Sequence, residues 1–107
     1  MSVQKTVRLI KEFYRLKTGL RSPFLDLFIL MIITENEGIS KTDINEILYN
    51  DRSKIKNSVN NALERLLKAE LIYLTEHPNS SRKNGEPTKK FYISDKWTII
   101  LETIFND

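Results

Sequence analysis

The chain has no cysteine, a single histidine, a single tryptophan, and only three glycines and three prolines in 107 residues. Without cysteine there is no disulfide scaffold and no thiolate metal site, which fits a reducing cytoplasm, where the sequence places the protein. His77 stands beside Pro78 and has no second histidine with which to build a zinc site. Three glycines supply no glycine-rich phosphate loop, and no nucleophile elbow or spaced carboxylate pair stands out. The sequence therefore offers no catalytic residue, no metal site and no cofactor, and reads as a non-enzyme. Long hydrophobic runs are missing too. The nearly apolar stretch from Phe24 to Ile33 is about half of the ~20 residues that span a bilayer, and it contains Asp26. It is expected to be a buried core helix, with Asp26 near its start, where the helix dipole favours a negative charge. The amino terminus carries Lys5, Arg8 and Lys11 but no small-residue cleavage site, so it does not read as a signal peptide. Neither a membrane nor a small-molecule ligand is an evident partner.

What is present is the composition of a folded protein, 40% hydrophobic and 29% charged, in a chain long enough for one domain over residues 1–107. The net charge of +3 is unevenly spread. Lys5, Arg8, Lys11, Arg15, Lys17 and Arg21 face only Glu12 in residues 1–22. Residues 23–51 hold Asp26, Glu35, Glu37, Asp43, Glu46 and Asp51 against Lys41. Bases return with Arg52, Lys54, Lys56, Arg65 and Lys68 against Glu64, and again with Arg82, Lys83, Lys89 and Lys90 against Glu86. Such segregation points to a face meant for a polyanion.

Apolar spacing predicts a first helix over residues 3 to about 17, with two rows: Val3, Val7, Ile10 and Tyr14, then Leu9, Phe13, Leu16 and Leu20. Gly19 ends it, and Ser22-Pro23 starts a second helix, apolar nearly all round, that runs to about residue 36 and belongs in the middle of the fold. Gly38 breaks the chain. Ser40 caps a short third helix whose inward residues are Ile44, Ile47 and Leu48. After a polar break at residues 49–53, a fourth helix runs to about residue 70 with Ile55, Val59, Leu63 and Leu66 inward. Residues 71–75 and 91–93 are β-prone and read as a hairpin around a long, polar, basic loop. Ser94 caps a last helix with Trp97, Ile100, Leu101, Ile104 and Phe105 on one face. Tyr14, Tyr49, Tyr73 and Tyr92 read as packing at the core edge.

Two short helices joined by a tight turn form the helix-turn-helix unit, whose second helix enters the DNA major groove. With Val59 turned inward, 100° per residue places Lys54, Asn57, Asn61 and Lys68 outward, and Lys56, Ser58 and Asn60 on the flanks. Asn can bond adenine bidentately, and lysine or serine can reach base edges or phosphate. Asn57, Ser58, Asn60 and Asn61 are also mediocre helix formers, so their clustering goes against local preference, as functional residues do. Arg52, Ser53, Lys54, Lys56, Asn57, Ser58, Asn60 and Asn61 are the candidate recognition-helix contacts. Arg82, Lys83 and Lys89 are the candidate wing contacts, cations on a loop able to reach the backbone or a narrow minor groove.

Residues 53–72, with Val59, the Ala62-Leu63 pair, Leu66 and Leu71-Ile72, resemble the recognition-helix stretch of winged-helix regulators of the multiple-antibiotic-resistance-regulator (MarR) type. Lys89-Lys90-Phe91-Tyr92-Ile93-Ser94 resembles the returning wing strand of that group and of the PadR type. The resemblance implies a mainly α fold with a small β-hairpin, a winged helix-turn-helix with N- and C-terminal dimerisation helices. Where those families usually carry glycine after the recognition helix, this chain has Glu70, which must take the left-handed conformation at about 1 kcal/mol relative to glycine if the geometry is kept. The surplus apolar surface of the end helices, with the resemblance, places a homodimer interface on Val3, Val7, Ile10, Tyr14, Trp97, Ile100, Leu101, Ile104 and Phe105. The expected function is sequence-specific binding of double-stranded DNA by that homodimer, as a repressor or an operator- or centromere-binding factor. A winged-helix protein-interaction module or adaptor subunit is the alternative.

Overall fold

A helix that is apolar nearly all round needs cover on most of its sides, and the architecture covers all but the side of Phe24 and Phe28, which are exposed. The structure, a computed structural model, describes residues 3–16, 23–77 and 88–106, apart from the side chains of Leu16 and Pro23. Its elements are α1 (Val3–Leu16), α2 (Pro23–Glu35), β1 (Ile39–Ser40), α3 (Lys41–Tyr49), α4 (Asn57–Lys68), β2 (Ile72–His77), β3 (Thr88–Ile93) and α5 (Asp95–Phe105). Helix α2 buries Leu27, Ile29, Leu30 and Ile33 and packs against α1, α3, α4 and β3. No described helix is long and apolar enough to cross a membrane.

The chain leaves α2 through Gly38 at φ +89°, where an added Cβ would meet the Tyr92 hydroxyl at 3.4 Å. The Gly38 N–H donates to the Phe91 carbonyl at 2.8 Å and leads into β1, so the sheet is antiparallel in the order β1-β3-β2. In the hairpin Ile72 faces Ile93 and Leu74 faces Phe91, while Tyr73 and Tyr92 stack on the other side at 5.4 Å between centroids. The strands reach His77 and Thr88, further than the β-prone runs alone indicate. Continued pairing of Thr75, Glu76 and His77 with Lys90, Lys89 and Thr88 supplies hydrogen bonds that residue propensity does not report.

The serine caps expected at Ser40 and Ser94 form. The Ser40 hydroxyl accepts from the Asp43 N–H at 3.2 Å, and the Ser94 hydroxyl from the Trp97 N–H at 3.3 Å. Ser94 also donates to the Glu70 carbonyl at 2.6 Å, tying the end of α4 to the start of α5. Glu70 sits at φ +60°, so the left-handed position is kept without glycine. The expected end of the first helix at Gly19 and the Ser22 cap lie outside the described residues.

Three expectations are corrected. Ile47 is exposed, and Asn45 takes the inward place beside Ile44. The fourth helix starts at Asn57, leaving Ile55 in the preceding turn. Trp97 and Ile104, expected at a dimer interface, lie in the chain's own core. The Trp97 indole N–H donates to the Thr34 hydroxyl at 3.1 Å, and its ring meets Phe13 edge-on at 6.2 Å. The reason is that α1 packs on both α2 and α5, so Trp97 is drawn onto Phe13 of α1 and Thr34 of α2. Of the other residues expected at the interface, Val3, Val7 and Tyr14 are exposed, while Ile10, Ile100, Leu101 and Phe105 are half-buried.

Trp97→Ala is accordingly expected to cost about 3–5 kcal/mol in denaturant unfolding. Ile47→Ser should stay within about 0.5 kcal/mol of the wild type. A Trp97 variant of unchanged stability would remove the indole from the core.

Candidate nucleic-acid interface

The turn between α3 and α4, residues 50–56, is held by one buried amide. Asn45, at zero exposure on α3, donates from Nδ2 to the carbonyls of Asp51 at 2.7 Å and Lys54 at 3.0 Å, and its Oδ1 accepts from the Lys56 N–H at 2.9 Å. Three backbone groups that the turn leaves unpaired thus find their partners on a single side chain. Asn50 ends α3 at φ +55°, a conformation asparagine tolerates well. Asp51 accepts from both the Ser53 N–H at 2.8 Å and the Ser53 hydroxyl at 2.7 Å. The Ser53 hydroxyl, then its amide, hold the Asp51 carboxyl below the usual aspartate range. Arg52 reaches back over the turn to Asp43 at 2.7 Å and to Glu46. Its hydrogen bond lowers the Asp43 pKa, and Glu46 and then Asp43 raise that of Arg52.

Helix α4 is fixed from behind by an ion pair. Arg65 donates from Nε and Nη2 to the two Asp26 oxygens at 2.9 and 2.7 Å. Asp26 has no exposure and Arg65 is half-buried, and the bond to Asp26 raises the Arg65 pKa. Asp26 is thus more than the first-turn acid expected from its place in α2: it is a buried partner for Arg65, one of the bases counted in the basic run of residues 52–68. A carboxylate in an otherwise apolar helix was the signal, because an unpaired charge there is prohibitively costly.

The expected contact residues divide accordingly. Asn57 and Asn61 are exposed on the outer side of α4 with Glu64 and Lys68. Arg52, Ser53 and Lys54 stand in the turn, not on α4, and Lys56 is the helix N-cap residue; the register of Asn45 with the turn delays the first helical residue to Asn57. Ser58 is half-buried, sharing a hydrogen bond with the Tyr49 hydroxyl at 3.1 Å, and the Lys56 ammonium lies 5.8 Å from the Tyr49 ring centroid. Asn60 turns to the other flank, where its Oδ1 is buried with no partner among the described residues. It lines a depression of about 470 Å³ with Lys41, Glu64, Leu74 and Lys89, between α4 and the hairpin. Lys41, at the start of α3, is thereby brought beside the wing strand, a proximity that only folding creates. Lys89 is exposed; Arg82 and Lys83 lie outside the described residues.

A three-helix core, a turn-linked helix pair and a three-stranded sheet closed by a hairpin define the architecture. It is a winged helix-turn-helix. Among solved structures, the transcriptional regulator SlyA superposes with a TM-score of 0.60 at 23% identity over 96% of this chain. A PadR-like transcriptional regulator from Bacillus cereus gives 0.55 at 24% identity, covering 83% of this chain and 84% of its own. A mutant MarR from E. coli, complexed with operator DNA, gives 0.58 at 18% identity over 96% of this chain. The winged helix spans 63% of the SlyA chain and 65% of the MarR chain. No family model and no curated protein matches the sequence.

Because the Asp43 and Asp51 pKa values are lowered by folding, the stability they lend is present at neutral pH and is lost as pH falls below about 4 through the folded values. Thermal melts of Asp43→Asn and Asp51→Asn should therefore differ from the wild type at pH 7 and converge with it near pH 2. A difference that persists in acid would mean these carboxylates stabilise the turn by something other than charge. Asp26→Ala, which strands Arg65, is expected to cost about 3–5 kcal/mol at pH 7 by denaturant unfolding.

Proposed function

We propose that the winged helix binds double-stranded DNA sequence-specifically as a homodimer, as a transcriptional repressor or an operator- or centromere-binding factor in the cytoplasm, acting by contact and not by catalysis. The observation that carries this reading is the outer side of α4. Asn57 and Asn61 are presented one turn apart on a helix braced from behind by the Asp26–Arg65 pair and the Asn45-held turn. Structural investment of this kind behind an exposed amide row is what base-edge readout requires. Asn57 and Asn61 meet base edges. Lys54, Lys56 and Lys68 meet phosphates, with Lys41 and Lys89 reaching the strand beside the wing, and Arg82 and Lys83 the flanking DNA. Arg52, already engaged by Asp43 and Glu46, contributes through the turn. The operator complex of MarR, with which the fold is shared, supports the reading by analogy.

The homodimer is supported by apolar surface at the end helices. Val3 is 80% exposed and Ile99 61%, with Val7 and Tyr14 also open. A two-fold partner that covers such surface would set two α4 helices ~34 Å apart, one turn of B-DNA, and call for a pseudo-palindromic site.

If a dimer neutralises ~6–10 phosphates, affinity should fall about 10³–10⁵-fold between 50 and 200 mM salt. A flat titration, or equal preference for single strands, would overturn the duplex reading. On matched and scrambled sites, Asn57→Ala and Asn61→Ala should each lose ~1–3 kcal/mol on the preferred site and little on random DNA, whereas Lys54→Ala should weaken both alike. Full retention of site preference in both asparagine variants would move the reading face elsewhere.

A further inference from the structure

We infer that the solvent side of the sheet is a stacking platform for a single-stranded nucleic acid, with an unpaired base on the Tyr73 ring and its phosphate on Lys90. This surface is separate from the duplex-binding face proposed above, binds more weakly, and does not depend on it.

Strand alternation and the observed register sort the hairpin into two faces. Ile72, Leu74 and Phe91 turn toward the helices, and Ile72 and Phe91 are buried there. Tyr73, Thr75 and His77 of β2 therefore lie on the other face, with Tyr92, Lys90 and Thr88 opposite them on β3. Ser40 of β1 pairs with Lys90 and extends that face. Its strand positions thus carry two phenol rings, an imidazole, a lysine and three aliphatic hydroxyls, and no carboxylate among the described residues. Glu76 falls on the inner side with its partner Lys89, and Glu37 at the rim accepts with Oε1 from the Ile93 N–H at 3.1 Å. Rings beside a cation, with no acid between them, complement bases joined by phosphates.

The rings are already stacked and held. Tyr92 lies over Gly38, where an added Cβ would come within 3.4 Å of its hydroxyl. Tyr73 stacks on Tyr92 at 5.4 Å between centroids, with the planes 15° apart. Because the strand order is β1-β3-β2, the stack runs from Gly38 through Tyr92 to Tyr73 and ends at the β2 edge. The pair stabilises the hairpin, but it uses only one side of the Tyr73 ring, which remains 49% exposed. Every base has a π-face able to continue such a stack. Strand β2 also has a neighbour on one side only, so alternate backbone N–H and C=O groups point outward along the same edge, where a base can bond them. Lys90 stands two residues from Tyr92, ~6.7 Å along the strand, and its long side chain can reach the phosphate of a base stacked on Tyr73. A bilayer offers no rings to stack, a duplex keeps its bases paired, and a proline-rich peptide leaves the cation unused. Leu74, Lys89 and Phe91, on the inner face, line the depression beside α4, so the platform and the DNA-facing helix lie on opposite sides of the sheet.

Fluorescence anisotropy of labelled oligothymidylate with the full chain at low salt tests this, with circular dichroism melts to check folding. Single-strand binding is expected, weaker than that of the preferred duplex. Tyr73→Val, which keeps a strand-forming residue, should weaken it ~5-fold to 100-fold, and Tyr73→Phe, which keeps the ring, should stay within ~2-fold of the wild type. Lys90→Gln should lower the slope of log affinity against log salt by ~0.7. None of these variants should alter site preference on duplex DNA. Oligouridylate run in parallel tells RNA from DNA, and Tyr73 dependence with either supports the platform. If Tyr73→Val does not fold, magnetisation transfer between thymine protons and the Tyr73 ring of the wild type takes its place, and its absence counts against the platform. No binding of either oligonucleotide overturns the platform. Binding that survives Tyr73→Val but is lost in Lys54→Ala puts the strand on α4 and overturns it as well. Poly-L-proline bound through Tyr73 in place of the oligonucleotides would make the face a peptide site instead. A wild type that binds oligothymidylate through Tyr73 but no duplex overturns the duplex reading and leaves the platform standing.

Discussion

Beneath α4, the carboxylate of Asp26 lies out of water with both oxygens in the fork of Arg65. Removing a charge from water is costly, and the arrangement holds because the planar guanidinium matches both carboxylate oxygens at once. The geometry of that fork leaves α4 little freedom to roll. Arg65 sits on the flank of α4 that meets α2, with Val59, Ala62, Leu63 and Leu66 buried beside it. Asn57 and Asn61 are then directed outward by helical periodicity alone. The pair joins the most apolar helix to the most polar one, and hydrophobic burial, which is non-directional, could not by itself have specified their relative rotation.

The turn before α4 shows the same division of labour between packing and direction. Apolar contacts bring α3 and α4 together, but the Asn45 amide decides where the chain runs between them by pairing with Asp51, Lys54 and Lys56. The Asp51–Ser53 bonds and the Arg52 reach to Asp43 and Glu46 tighten the exposed side of the same turn. Buried polar networks are useful in this way only when their members are satisfied, and Asn45 uses both donor hydrogens and its acceptor.

These pairs also change the meaning of the charge pattern. Of the acids concentrated in residues 23–51, Asp26 is matched by Arg65, Asp43 and Glu46 by Arg52, and Asp51 is turned onto Ser53. The pairing reduces the negative charge of the stretch without cancelling it, since Asp43 and Glu46 share one arginine and Asp51, bonded to Ser53, stays ionised. The positive character of the face that this stretch borders comes from Lys54, Lys56 and Lys68, with Lys41 and Lys89 gathered around Asn60. On α1 the Arg8–Lys11–Arg15 ridge forms a second positive surface at the groove with α5.

Local information is strong wherever a side chain's role depends on its neighbours in sequence. The caps at Ser40 and Ser94, the largely buried α2 and the inward places of Val59, Leu63 and Leu66 on α4 could be read from spacing and residue type, whereas the left-handed turn at Glu70 was implied only by the family resemblance. They are set by backbone sterics, hydrogen bonds within a turn and helical period, none of which needs a distant partner. The start of α4, the burial of Trp97 and Ile104, the exposure of Ile47 and the pairing of Asp26 with Arg65 were decided only by the tertiary structure. Each depends on a group far along the chain: Asn45 eleven residues from Lys56, Thr34 sixty-three from Trp97, Asp26 thirty-nine from Arg65. An apolar stripe states that a side chain seeks cover, but not whether its own domain or a partner provides it. Periodicity leaves that choice open because hydrophobic contact carries no address; the limited number of elements able to surround α2 makes it.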